Sequence, residues 1–381
     1  MKRGGHELRI VKHPFKRSVL LFVLLSRLAS PGMAQGVGDL AKKALDGDAS
    51  AQLSLGETYR LGLGVDQNYT EALRFYKLAA AQGVPQAQFA LAEMNRFGEG
   101  GPPDFQEAVR FYKLAAEQGL PEAQFGLGVM YDNGQGVPRD YKEAVRWYKL
   151  TAEQGMADAE YNLGLMYAEG KGVDQDFKEA ARWYRRASDH RSLPEAQYNL
   201  GVLYDRGQGV EQDYKQAAQW YKLAGEQGHL EAQFNLAVLY QNGQGISQDY
   251  RESARWYKLA AEQGQAEAEY NPGVLYANGQ GVPRDNGEAA HWYRLAAEQG
   301  HSDAEFNLGV LYTNGLGVPR DQVQAHRWFT IAASQGDQDS ARAKERLAAR
   351  MSAQELEQAR ALAATWTPCK TKPECDARIS H

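Results

Sequence analysis

The stretch AQFGLGVMYDNGQGVPRDYKEAVRWYKLTAEQG, which runs from Ala123 to Gly155, decides the fold. Similar phrases recur along the chain, and each step is 36 residues except one of 37, where His190-Arg191-Ser192 carries an insertion. Self-similarity at such a period indicates a repeat architecture. The eight copies start at Ala51, Ala87, Ala123, Ala159, Ala196, Ala232, Ala268 and Ala304.

Each copy is predicted to form two helices. In the first, Ala123, Leu127 and Tyr131 recur at i, i+4 and i+8, which places them on one face. Gly134 and Gly136 are expected to end that helix in a tight loop. The next helix should begin after Asp140 as N-cap, with Glu143 completing a capping box. Its apolar positions are Ala144, Trp147, Tyr148 and Ala152, and small residues at Gly128 and Ala144 would let the two helices approach closely.

These residues carry a family resemblance. The phrases A-Q-x-x-L-G-x-x-Y-x-x-G-x-G-V-x-x-D and E-A-x-x-W-Y-x-x-A-A-x-x-G resemble the Sel1-like repeat, a relative of the tetratricopeptide repeat. The resemblance implies an all-α fold, an α/α superhelical solenoid of eight helix–turn–helix repeats. It also implies a scaffold or adaptor in protein–protein interaction. Secreted bacterial members contact envelope proteins, polysaccharide machinery or host proteins.

The sequence divides into five expected regions. Residues 1–34 are predicted to be a signal peptide, 35–50 an N-terminal capping helix and 51–336 the eight repeats. Residues 337–366 are expected to form C-terminal capping helices, and 367–381 a polar tail with the cysteine pair. Capping elements with a polar outer face are what a solenoid needs for solubility.

The N-terminal region predicts export. A basic front precedes the apolar run Val19–Leu25, and Gly32-Met33-Ala34 supplies the small residues of a cleavage site before Gln35. That run is too short to span a bilayer as a helix, so we expect a periplasmic or secreted protein, with an uncleaved anchor as the alternative. We expect no stable membrane span after cleavage.

The charge balance argues against nucleic acid as a partner. The whole chain has 43 Lys and Arg against 48 Asp and Glu. Removing residues 1–34 takes away seven basic residues and one acidic residue, which leaves 36 against 47 and a net charge of −11. Such a surface repels phosphate backbones.

The sequence predicts no catalytic, cofactor or metal site. Cys369 and Cys375 are the two cysteines of the chain, and with an export signal they predict one small disulfide loop. The histidines are scattered without ligand spacing, and the G-x-G elements follow helices and lack a G-K-[ST] continuation. The recurring aspartates, such as Asp140, fall at helix caps.

Two ladders of side chains are the candidate partner-binding residues. The aromatic ladder lies two positions before the core leucine, about 200° around the helix, so we expect it to face away from the seam inside each repeat. It should either pack on the neighbouring repeat or line a concave groove, where the matching tetratricopeptide positions bind peptide. Its members are Phe125, Tyr161, Tyr198, Phe234, Tyr270 and Phe306.

The second ladder is made of asparagines. A buried amide needs hydrogen bonds, which the backbone of the adjacent repeat or the main chain of an extended peptide could supply. Its members are Asn162, Asn199, Asn235, Asn271 and Asn307. Variable residues on the same helices would then set specificity: Asp132, Arg206, Gln241 and Thr313.

These observations favour a non-enzymatic binding module that holds a protein or peptide on its concave face. One alternative is an enzyme, because some cysteine-rich secreted relatives are associated with penicillin binding and hydrolysis. This chain lacks their cysteine pair in each repeat and has no S-x-x-K. The other alternative is a spacer in envelope or polysaccharide assembly.

One departure from the pattern bears on the fold. Pro272 stands at the core leucine position of the seventh copy. Proline inside a helix costs on the order of 3 kcal/mol, so we expect a kink or a shortened helix, and a weaker seam between the sixth and seventh copies. A functional hinge is the alternative to a tolerated defect.

Overall fold

The computed structural model describes residues 33–379, with side chains from residue 36 onward. Within this range the regular secondary structure is helical, and it contains no strand. The expected signal peptide lies outside the described residues except for Met33 and Ala34, where the first described helix begins. No helix of the described part is long and apolar enough to cross a membrane.

Each copy of the repeat forms two consecutive helices, which we call the first helix and the second helix. The first helices are α2 (Ala49–Leu61), α4 (Pro85–Phe97), α6 (Pro121–Asn133), α8 (Ala157–Glu169), α10 (Pro194–Arg206), α12 (Leu230–Asn242), α14 (Ala266–Asn278) and α16 (Ser302–Asn314). The second helices are α3 (Tyr69–Ala81), α5 (Phe105–Glu117), α7 (Tyr141–Glu153), α9 (Phe177–Arg191), α11 (Tyr214–Glu226), α13 (Tyr250–Ala261), α15 (Asn286–Glu298) and α17 (Gln322–Ser334).

Four further helices flank the repeats. Helix α1 (Met33–Leu45) precedes them, and α18 (Gln338–Ala348), α19 (Ala353–Ala364) and α20 (Lys372–Ile379) follow. Helix α20 lies in the segment expected to be a polar tail and packs on α15. Cys369 and Cys375 are joined by a disulfide, with their Cα atoms 5.6 Å apart.

The chain divides into two compact units. Of the described residues, unit 1 contains 33–199 and 208–210, and unit 2 contains 200–207 and 211–379. Within each unit, a first helix packs on the second helix of its own repeat, and that helix packs on the first helix of the next repeat. Each repeat therefore uses its neighbour as hydrophobic cover, as stacked repeats do.

The core is built from a leucine of the first helix, replaced by Pro272 in the seventh repeat, and a tyrosine of the second helix, replaced by Phe329 in the eighth. Leu127 and Tyr148 are fully buried in the third repeat, and their counterparts are buried along both units. Gly128 makes room for the Tyr148 ring, because a Cβ there would lie 2.8 Å from its Cδ1. The expected close approach of the two helices at Gly128 is therefore observed.

The loop between the two helices depends on two left-handed glycines. Gly134 ends α6 with φ 69°, and the Gln135 amide donates to the Met130 carbonyl at 3.0 Å. Gly136 has φ 71°, and a Cβ there would collide with the Phe105 carbonyl of the preceding repeat. The G-x-G element thus ends a helix and lets neighbouring repeats approach.

The second helix of each repeat starts at an Asp or Asn cap. The Asp140 carboxylate accepts from the backbone N–H of Lys142 at 2.9 Å and of Glu143 at 3.2 Å. The expected capping box is wrong, since the Glu143 carboxylate pairs instead with Arg146 at 3.2 Å. That pairing stays within one turn of the helix and leaves capping to the aspartate.

Two irregularities of the sequence are absorbed by helices. Helix α14 contains Pro272 and has 13 residues, like the other first helices, so the expected shortening is wrong. The proline ring fills the buried leucine position, and a proline removes one backbone N–H from a helix. The insertion at His190 lengthens α9 to 15 residues, and Ser192 ends it with φ 48°.

Candidate functional site

The aromatic ladder packs inside its own repeat. The Phe125 ring lies 5.7 Å from the Tyr148 ring of the same repeat, and Tyr270 lies 5.7 Å from Tyr293. The expectation that this stripe faces away from the seam inside each repeat is therefore wrong. The second-helix tyrosine reaches past the small residue of the first helix, and its ring extends to the aromatic stripe.

Exposure of the ladder differs between the two units. In unit 1 Phe125, Tyr161 and Tyr198 are buried. In unit 2 Phe234, Tyr270 and Phe306 are half-buried. The aromatic side chains of unit 2 therefore keep part of their surface accessible.

Three members of the asparagine ladder lie beside tyrosines of the preceding repeat. The Asn307 amide donates to the Tyr270 hydroxyl of the preceding repeat at 3.4 Å. Asn199 lies close enough to Tyr161 to act on its pKa, which burial raises and this amide lowers. Asn162 acts in the same way on Tyr148, whose pKa burial raises.

Asn271 differs from the other members because it bonds within its own helix. Its amide donates to the Glu267 carbonyl at 2.8 Å. Asn199 and Asn271 are buried, whereas Asn162, Asn235 and Asn307 are half-buried. Asn162, Asn199 and Asn307 therefore lie beside a tyrosine of the preceding repeat, and Asn271 bonds within its own helix, in place of the expected bond to the backbone of the adjacent repeat.

The variable residues lie at the C-terminal ends of the first helices. The carboxylate of Asp132 accepts from the Tyr148 hydroxyl at 3.4 Å, and Gln241 accepts from Tyr257 at 2.9 Å. The Thr313 hydroxyl donates to the Gly309 carbonyl at 2.8 Å. Arg206 is exposed at the end of α10. Three of these four side chains therefore bond within their own repeat.

The first two repeats carry a glutamate where the later repeats have valine or, in the fourth repeat, Leu165. Glu57 and Glu93 accept hydrogen bonds from the buried hydroxyls of Tyr76 and Tyr112. Arg60 bridges to Glu99 of the second repeat, with 2.7 Å between Nε and Oε2. Burial raises the pKa of Glu93. This network fixes the N-terminal repeats of unit 1.

A third ladder escaped the sequence argument. The residue after each starting alanine is a buried glutamine or glutamate, and we call it the inner polar position: Gln52, Gln88, Gln124, Glu160, Gln197, Gln233, Glu269 and Glu305. Gln154, at the end of the second helix, donates to Gln124 at 2.7 Å. The Gln124 amide donates to the Ala116 carbonyl of the preceding repeat at 3.2 Å. The recurring A-Q/E and E-Q-G elements could have revealed this pairing.

The arrangement offers surfaces for binding. Among the residues with described side chains, no group of three or more His, Cys, Asp or Glu could hold a metal ion. The half-buried aromatic and amide side chains of unit 2 are neutral, and the chemistry they offer is packing and hydrogen bonding.

The repeats of this chain match a known protein family. The Sel1 repeat family model matches residues 49–84, 85–120, 121–156, 157–192, 194–229, 230–265, 266–301 and 302–337. None of the curated proteins compared with the chain matches it.

Two solved structures cover most of the chain. A Sel1 repeat protein from Oxalobacter formigenes is 32% identical, with a TM-score of 0.64 over 86% of this chain and 93% of that one. The c5321 protein, a protective antigen of uropathogenic Escherichia coli with an SLR fold, is 30% identical. Its TM-score is 0.56, over 90% of this chain and 97% of that one. The chain belongs to the Sel1 repeat family, whose members commonly serve as scaffolds for protein–protein interaction.

Proposed function

We propose that this chain is an exported, non-enzymatic scaffold that holds a protein or peptide segment on its first helices. The observation that carries the proposal is the accessible part of the ladders in unit 2, made of Phe234, Asn235, Tyr270, Phe306 and Asn307. Half-buried aromatic and amide side chains supply contact area and hydrogen bonds at low conformational cost.

Valines complete this face. Val238, Val274 and Val310 lie three residues after the asparagine position on α12, α14 and α16, and all three are half-buried. Residues three apart share a helix face, so each valine lies beside an asparagine. A segment laid across the three helices would meet a half-buried aromatic ring and a half-buried valine at each repeat.

Site-specific photo-crosslinking in cells tests this face. A photoreactive residue in place of Val274 is expected to capture a discrete partner, and the same residue in place of the exposed Arg251 on α13 is the matched control. A capture pattern shared by both positions, or none at Val274, contradicts the proposed face. With the photoreactive residue kept at position 274, replacing Val238 and Val310 by arginine should then weaken capture by about tenfold, because charge is depleted from interface cores.

Export and the absence of catalysis have their own tests. Cell fractionation with N-terminal sequencing should find a mature chain that begins at Gln35. An intact N-terminus retained in membranes would favour the uncleaved anchor. Nitrocefin hydrolysis by the purified chain above the buffer rate would contradict the non-enzymatic part of the proposal.

A further inference from the structure

A large apolar side chain recurs at one equivalent position of successive second helices. The residues are Leu78, Leu114, Leu150, Leu223, Leu259, Leu295 and Ile331, which we call the leucine row; Arg186 takes this place in the fourth repeat. In unit 1 the members of the row are exposed: Leu78 by 42%, Leu114 by 38% and Leu150 by 39%. Large apolar side chains repeated on one surface indicate an interaction site.

The chain itself covers the end of this row in unit 2. Leu295 is 2% exposed and Ile331 is 4% exposed. Ile379 of α20 packs on the cluster that contains Leu295. Ala363 and Trp366 pack on the cluster that contains Ile331, with the Trp366 ring 6.1 Å from Trp328. Residues of the C-terminal segment, two of them helical (Ala363 and Ile379) and one between the helices (Trp366), therefore cover the end of the row.

A glutamate one turn further along the second helix anchors the same segment. Glu298 follows Leu295 by three residues, and its Oε2 accepts from the Trp366 indole N–H at 3.1 Å and from Arg378 at 3.3 Å. The Glu298 carbonyl accepts from the Cys369 backbone N–H at 2.8 Å. The segment thus presents an apolar side chain to the leucine position and donors to the glutamate.

Unit 1 repeats the Leu–Glu pair without this cover. Glu117 follows Leu114 on α5 and Glu153 follows Leu150 on α7, at the same spacing of three residues, and all four side chains are exposed. Residues three apart lie on one helix face. The first repeat keeps Leu78 but has Ala81 in place of the glutamate.

We propose that the leucine row of unit 1 is a docking surface for a segment of another protein that carries both apolar and cationic side chains. That segment places aliphatic or aromatic side chains on Leu114 and Leu150, and arginine or lysine on Glu117 and Glu153. The occupant is inferred from the chain's own C-terminal segment, which meets Leu295 and Glu298 in this way. The glutamates disfavour an anionic lipid surface.

This surface is separate from the face of the proposed function. The leucine row lies on second helices, whereas Phe234 and Val274 lie on first helices. Loss of partner capture at Val274 therefore leaves the docking surface standing, and loss of docking at Leu114 leaves the capture result standing.

The test uses an oxidised, fluorescein-labelled peptide with the sequence of residues 366–379, titrated into the full chain by fluorescence anisotropy. We expect saturable binding that Leu114→Glu combined with Leu150→Glu weakens by about tenfold or more. Leu316→Glu changes an exposed loop leucine outside the row and is expected to leave binding unchanged. Circular dichroism verifies that each variant keeps its helical content.

A charge swap tests the glutamates separately. Glu117→Arg with Glu153→Arg is expected to weaken binding, and a peptide carrying Arg378→Glu should recover affinity for that variant. The absence of saturable binding overturns the proposal. Binding that ignores the row variants also overturns it, because the peptide would then be exchanging with the chain's own segment at Leu295.

Discussion

Units 1 and 2 both bury carboxyl groups at the inner polar position, but the hydrogen-bond partners of these groups differ between the units. In unit 1 the Glu160 carboxylate accepts a hydrogen bond from Arg186 Nε at 2.8 Å, and its other oxygen lies 2.8 Å from His190 Nδ1. In unit 2 the Glu269 carboxyl accepts a hydrogen bond from the side-chain amide of Gln299 at 2.6 Å, and the Glu305 carboxyl accepts one from the side-chain amide of Gln335 at 2.9 Å. All three carboxyls are fully buried.

The pKa values follow from this difference in unit 2. Burial raises the pKa of Glu269 to about 7, against a smaller opposing effect of Lys372. Burial raises the pKa of Glu305 to about 8, against the opposing hydrogen bond from Gln335. A buried carboxyl must be paired or must keep its proton. Unit 1 pairs the charge with a cation, whereas unit 2 keeps the proton.

The largest expected effect comes from removing the cation of unit 1. Arg186→Ala leaves Glu160 buried without its guanidinium partner, and Arg186 Nη2 also donates to the Ala152 carbonyl at 3.0 Å. Breaking a buried ion pair costs several kcal/mol, so we expect a loss of about 2–4 kcal/mol in the free energy of unfolding. Urea denaturation measures it.

Two further variants isolate the cause of that loss. Arg182→Ala removes an exposed pair with Glu179 on the same helix and should cost less than about 0.5 kcal/mol. Glu160→Gln in the Arg186→Ala background removes the unpaired charge and should restore part of the stability. Equal losses for Arg182→Ala and Arg186→Ala would show that the charge of Glu160 needs no buried partner.

The proton held by unit 2 gives a pH-dependent effect. The folded pKa values of Glu269 and Glu305 lie above the unfolded value of about 4.3, so the folded chain binds more protons between about pH 4 and pH 8. The contribution of these groups to stability is therefore greatest below about pH 4, falls as the pH rises from about 4 to about 8, and levels off above pH 8.

Glutamine substitution removes that dependence. Glu269→Gln with Glu305→Gln is expected to raise the free energy of unfolding by about 1–3 kcal/mol at pH 9 and to leave it nearly unchanged at pH 5. Chemical denaturation at the two pH values measures the difference. Glu357→Gln on the exposed face of α19 is the matched control and should show no such dependence. An equal gain at both pH values would mean that the carboxyls are ionised throughout.

The fold followed from the sequence because local signals and repetition agree. The core positions Leu127 and Tyr148, the loop glycines and the cap Asp140 all lie within one copy, and the eight copies repeat this residue pattern. The kind of fold was predicted from these residues. The length of α14 was not, because buried packing around Pro272 overrides the helix propensity of one residue.

The candidate site was predicted less well, because it depends on contacts between residues distant in sequence. Angular position on one helix placed Phe125 away from Tyr148, yet the length of the tyrosine side chain joins the two rings. The contact of Asn307 likewise depends on a residue of the preceding repeat, Tyr270, which is 37 residues away in sequence. Ile379 packs on the cluster that contains Leu295 although the two residues are far apart in sequence, and no repeated sequence pattern predicts this contact.

The smallest expected effect concerns the residue that the insertion introduces. His190 occupies the place that a glutamine takes in other repeats: Gln154 meets Gln124 and Gln335 meets Glu305 at the same separation of 30 residues. His190→Gln should therefore change the free energy of unfolding by less than about 0.5 kcal/mol, because the amide can donate to Glu160 as Gln335 does to Glu305. Chemical denaturation alongside Arg186→Ala measures it. A loss comparable to that of Arg186→Ala would show that Glu160 requires the imidazole and that an amide donor cannot replace it.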